Sequence, residues 1–105
     1  MGNLVKAQVS IWEEFHRPTV WRRDQGRCQG PHCRDKPVWS LPLDRAHIDH
    51  VRSGKLADNK VSGLRTLCRR CHALRADSRH RGMVANALRD GVIPPNWREL
   101  VWDDE

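Results

Sequence analysis

Two cysteine pairs, Cys28-x4-Cys33 and Cys68-x2-Cys71, restrict what this chain can fold into more than any other feature. Each short loop presents two thiols, and four thiolates at tetrahedral corners are what a zinc ion takes. Thirty-four residues, Arg34 to Leu67, separate the pairs. One ion shared by both loops therefore ties the two halves of the chain together. A chain of 105 residues buries a modest fraction of its surface and often needs such a staple. The second pair is the sharper signal. His32 is an alternative ligand to Cys33, but it would leave one thiol without a role. Free buried cysteines or two disulfides are the bland alternatives.

The compartment bears on that choice. The chain has no run of 18 apolar residues, so no membrane span is expected. The first residues lack the apolar stretch of a signal peptide, and Lys6 breaks the myristoylation pattern. A cytoplasmic protein is expected, where thiols stay reduced and paired cysteines bind metal more often than each other. A monomer is the default assumption.

Charge points towards a partner. The formal net charge is +6, from 19 Lys+Arg against 13 Asp+Glu. Zinc on four thiolates lowers it to about +4. Arginine clusters beside both cysteine pairs: Arg22, Arg23, Arg27 and Arg34 near the first, Arg65, Arg69, Arg70 and Arg75 near the second. An arginine-rich face suggests phosphate, hence nucleic acid. The plainer reading is a solvated charged surface.

The local patterns are short. Val5, Val9, Ile11, Trp12 and Phe15 are compatible with an amphipathic helix. Pro18 suits the first turn of a helix through Gln25, with Gly26 as a left-handed cap. Residues 38–41 and 45–51 read as two strands joined by a turn with Pro42 and Asp44. Residues 52–62 read as a polar loop. A helix is expected from about Cys71, and a second or continued one over Met83–Asp90, capped by Gly91. Pro94 and Pro95 break the chain, and Asn96 caps a last turn. The acidic end is expected to fray. The five tryptophans are expected to be mostly core.

Between the cysteine pairs lies Ala46-His47-Ile48-Asp49-His50-Val51, and His72 directly follows Cys71. A strand end at Asp49-His50 lets a ligand and a neighbouring base reach one site. The zinc brings the helix start, and with it His72, to Asp49. A carboxylate and an imidazole leave a divalent ion open positions for water and phosphate. His50 can then take a proton from the attacking water. Arg75, one turn from His72, and the helix N-terminus favour an anion there. Arg69, Arg70 and Arg75 are the candidate phosphate contacts. His47 shares a strand face with Asp49 and reads as packed or hydrogen-bonded rather than as a ligand. His16 and His80 read as surface or packing residues.

At these residues the chain resembles the HNH endonucleases, ββα-metal (His-Me finger) nucleases with a zinc-binding cysteine cage. The resemblance runs from about Arg22 to Arg75. Arg23-Asp24-Gln25-Gly26-Arg27-Cys28 is similar to the family's approach to its first cysteine turn. Ile48-Asp49-His50-Val51 is similar to its Asp-His-Ile segment, and Leu64-Arg65-Thr66-Leu67-Cys68-Arg69-Arg70-Cys71-His72 to its Leu-Cys-x-x-Cys-His segment. The resemblance implies a small α+β domain over residues 1–105. Its motif core would span about 22–76, with helical segments 1–21 and 77–105 on either side. It implies a structural Zn²⁺ on Cys28, Cys33, Cys68 and Cys71, a catalytic Mg²⁺, Mn²⁺ or similar ion on Asp49 and His72, and His50 as general base. DNA is the implied partner, with the ββα element against the minor groove. Arg75 falls where the family often has lysine. Gly63 stands where the family usually has Asn bracing the loop that carries the base, with Asn59 four residues upstream. Of the glycines common after the Asp-His segment, only Gly54 is present. A zinc-stabilised nucleic-acid-binding module without catalysis is the second reading, and an interaction module using Trp12, Trp21, Trp39, Trp97 and Trp102 the third.

Overall fold

The structure, a computed structural model, describes residues 11–34, 40–51, 60–75 and 81–103. A wide π-type turn over Ile11–His16 runs directly into helix α1, Arg17–Arg23. Pro18 sits in the first turn of α1, where its missing N–H costs least. Gln25 and Gly26 both take positive φ (57° and 70°) and end the helix. A Cβ on Gly26 would also crowd Ser40, Leu41 and Trp21.

Strand β1, His47–His50, pairs antiparallel with β2, Leu64–Leu67, in a two-stranded sheet. His47 lies opposite Leu67 and Asp49 opposite Arg65. This corrects the expected pairing of 38–41 with 45–51. Ser40 and Leu41 are not strand, residues 43–45 form a 3₁₀ turn, and Leu41 N–H bonds Gly26 O instead. Val38 and Trp39 lie outside the described residues. Short strands carry little periodic signal, so adjacency in sequence favours 38–41, whereas the partner in the structure is Leu64–Leu67.

Helix α2, Arg69–Leu74, follows β2 at once. It begins two residues before the expected start because Cys68 is its N-cap, accepting a hydrogen bond from Cys71 N–H. Helix α3, Arg81–Arg89, is a separate element, and Gly91 (φ 72°) follows its end. Trp97–Leu100 makes a last 3₁₀ turn.

Alternation along the strands splits the sheet into two faces. Leu64 and Thr66 are buried on the α1 side, where Asp24 at the end of α1 accepts from Thr66 N–H at 2.8 Å. His47, Asp49 and Arg65 face α2. One core cluster joins Ala73, Leu74, Ala87 and Ile93; another joins Cys28, Leu67 and Cys71. Trp102 packs against both. Its N–H bonds Leu74 O at 3.1 Å and its Nε1 donates to Cys71 O at 2.8 Å. The four described tryptophans are half-buried, not fully core. Each keeps a polar handle or stacking partner: Trp21 Nε1 donates to Leu41 O, and Trp97 lies under Arg98. Among the described residues, no helix is long and apolar enough to cross a membrane.

Candidate functional site

The two cysteine loops close on each other. Cys28, Cys33, Cys68 and Cys71 bring their sulfur atoms within 4.8 Å of one another. Cys33 Sγ lies 3.8 Å from Cys68 Sγ and 3.9 Å from Cys71 Sγ. A zinc–sulfur bond of about 2.3 Å at tetrahedral angles puts sulfurs roughly 3.8 Å apart. The thiols therefore fit a structural metal such as zinc. Backbone donors support them: Gly30 N–H points at Cys28 Sγ and Cys71 N–H at Cys68 Sγ, each at 3.4 Å. Gly30 permits the closure. A Cβ there would stand 2.6 Å from both Cβ and Sγ of Cys71. His32 is not a ligand in this arrangement; its Nε2 bonds Leu100 O at 2.8 Å.

Four thiols this close cannot all ionise alone. Cys68 is pushed down to about 2, chiefly by the Cys28 thiol and next by that of Cys71. Cys28 is pushed up to about 12, chiefly through Cys68, and Cys71 is also raised, chiefly through Cys28. Hydrogen bonding among the thiols therefore favours the thiolate form at Cys68. The N-terminus of α2 adds its own N–H donors, so this helix end serves the cysteines rather than a phosphate.

Asp49 and His72 are brought together. His72 Nε2 lies 3.6 Å from Asp49 Oδ1, and both residues are buried. β1 supplies the carboxylate and α2 the imidazole, and the cysteine loop before α2 holds the helix against the sheet. Two arginines also reach Asp49. Arg65, directly opposite on β2, donates through Nε and Nη2 to Oδ2 at 3.1 and 3.0 Å. Arg75 donates through Nη1 to Oδ1 at 3.1 Å. Among the described residues, the four cysteines are the one group of three or more metal-ligating side chains this tightly gathered.

His50 is the last residue of β1 and lies on the other face of the strand. Its ring stacks on Trp12, with centroids 6.0 Å apart. His47 is part of the Asp49–His72 cluster: His47 Nδ1 lies 2.9 Å from His72 Nδ1.

Arg75 departs from its expected role. Its side chain is only 4% exposed, and its guanidinium also donates to His50 O and Val51 O, each at 2.7 Å. It faces inward and is no surface phosphate contact. Arg69 pairs with Asp90 at 2.7 Å, which with Arg89 holds that carboxyl below its usual range. Arg70 is exposed. Asn59, Gly54 and His80 lie outside the described residues.

Sequence reasoning counted Arg65 only among the clustered arginines; its role at Asp49 becomes visible once the register places the two opposite each other. It counted Trp102 only among the five tryptophans; its specific role depends on the chain returning to α2. Comparison with protein-family models, with curated proteins and with solved structures found no match.

Proposed function

We propose that this chain is a metal-dependent DNA endonuclease or nickase with a ββα-metal core of the HNH type. The observation that carries the reading is the 3.6 Å approach of His72 Nε2 to Asp49 Oδ1, from a helix and a strand stapled by four cysteines. Two ligands about 2.1 Å from one ion stand roughly 3 to 3.5 Å apart. Oδ1 accepts from Arg75, and a carboxylate oxygen has a second lone pair for a cation. Asp49 and His72 would hold a divalent ion such as Mg²⁺ or Mn²⁺, which supplies Lewis-acid stabilisation of a phosphodiester's developing charge.

His50 is the general base in this reading. It takes a proton from water as the water oxygen bonds phosphorus and the bond to the leaving sugar oxygen breaks. Stacking on Trp12 limits the freedom of its ring. Arg75 holds the carbonyls of His50 and Val51, which supports the base where the resemblance implies an Asn and the chain has Gly63. Arg70, exposed, and Arg69, at the surface with Asp90, remain the candidate phosphate contacts.

The test is relaxation of supercoiled plasmid by zinc-loaded protein with Mg²⁺, Mn²⁺, Ni²⁺ or Zn²⁺, with EDTA as control. Wild type should nick with metal, and His50→Ala should lose at least about 100-fold in rate while still shifting DNA in a gel. Equal cleavage by His50→Ala would refute the assignment. One observation favours the second reading, a zinc-stabilised binding module: arginines engage both oxygens of Asp49. That module binds DNA with strong salt dependence and nicks under no metal.

A further inference from the structure

We propose that His47 is a positioning residue that sets the tautomer of His72; this rests on the reading of Asp49 and His72 as a cation site. The two rings meet edge to face with centroids 5.0 Å apart and Nδ1 atoms 2.9 Å apart. At that distance one Nδ1 carries the proton and the other offers a lone pair. The opposite nitrogen of His72 faces Asp49 Oδ1.

These two contacts make the protons of the pair interdependent. With its proton on Nε2, His72 turns a donor towards Asp49 and its Nδ1 accepts from His47. A cation shared with Asp49 needs the Nε2 lone pair, so the proton must move to Nδ1. It then needs an acceptor, and His47 Nδ1 stands at hydrogen-bond distance. Most ligand histidines give this second N–H to a carboxylate or a carbonyl. Here a second imidazole takes that role, from two residues before the carboxylate on the same strand face. His47 cannot join the same ion through Nδ1, because His72 presents its two nitrogens in different directions. Its contribution is orientation, and its loss is felt through His72.

The experiment titrates Mn²⁺ into protein whose cysteine site is already zinc-loaded, read by electron paramagnetic resonance. The variants are His47→Leu, His47→Asn and Asp49→Asn. Leu removes the acceptor, whereas the Asn side-chain oxygen can take the place of Nδ1. Wild type should bind one Mn²⁺ and Asp49→Asn should lose it. His47→Leu should weaken binding about 10- to 100-fold, and His47→Asn should recover most of that loss. Zinc content and melting temperature of both His47 variants should match wild type, which separates positioning from folding. If Asp49→Asn keeps its Mn²⁺, or wild type binds none, the cation-site reading falls and takes this proposal with it. If Asp49→Asn loses Mn²⁺ but His47→Leu binds like wild type, or His47→Asn is as weak as Leu, the proposal alone falls.

Discussion

Arg75 shows how one side chain can decide the geometry of several others. Its buried guanidinium spans Asp49 Oδ1, His50 O and Val51 O. Arg75→Met keeps much of the volume but leaves two carbonyls and half of Asp49 without that donor. Arg65 still holds Oδ2, so the loss should sit near the low end for a broken buried pair, about 3 kcal/mol in urea unfolding of the zinc-loaded protein. Lysine should recover little, since one ammonium cannot present a planar fork to three acceptors. A loss below about 1 kcal/mol for Arg75→Met would show the clamp is not needed. Gly30 makes a second point at this scale. Gly30→Ala would push a methyl into Cys71, so the variant should copurify with clearly less than one zinc per chain. Full occupancy would show that the loop moves aside cheaply. The cysteines and the Asp49–His72 pair were legible from spacing alone, because ligand spacing is local in each loop. The inward turn of Arg75 was not, since a buried arginine and a surface one look alike until their acceptors are known.

At the scale of elements, the C-terminal segment completes the domain. Trp102 bonds Leu74 O and Cys71 O, lies under the Arg65 guanidinium at 4.9 Å, and pairs with Arg75 in a short parallel bridge. His32 Nε2, in the first cysteine loop, donates to Leu100 O. Residues 100–102 thus strap α2 and the cysteine loops from outside. Trp102→Ala should cost at most about 3 kcal/mol, the lower end for a tryptophan core truncation, because this ring is half-buried. A change under about 0.5 kcal/mol would mean the strap is ornamental. Helix ends were readable here, since Pro18, Gly26 and Gly91 act through their own backbone. Strand pairing was not. β2 has four residues, and no local pattern marks β1 as its partner.

The whole molecule depends on the cysteine cluster, because it joins the turn after α1 to the junction of β2 and α2. The described core is small and divided into clusters, while a structural zinc contributes an apparent 10 to 16 kcal/mol at neutral pH. That matches or exceeds the usual net stability of a domain. Stripping the metal with a strong chelator should therefore unfold the chain at about 25 °C, with loss of helical circular dichroism that zinc restores. An unchanged spectrum and melting temperature after stripping would sink this. The protons follow from the thiol energetics. In the metal-free cluster Cys68 lies below its ordinary 9.0, so its stabilising contribution is full above 9.0 and disappears only as pH falls through its folded value of about 2. Cys28 lies above, so its contribution is full below 9.0 and fades as pH rises through about 12. A folded cluster without metal would thus carry a thiolate at neutral pH, whereas in the stripped, unfolded chain Cys28 and Cys68 start near their ordinary 9.0. A metal takes all its sulfur ligands as thiolates, so binding must expel the remaining thiol protons, and affinity falls as pH is lowered. Calorimetry of zinc binding in buffers of different ionisation enthalpy counts those protons. Because the stripped chain is unfolded, the count should approach one proton per cysteine at neutral pH. A count clearly short of that would mean that the hydrogen-bonded cluster, with Cys68 already ionised, forms before the metal and that the stripped chain stays folded.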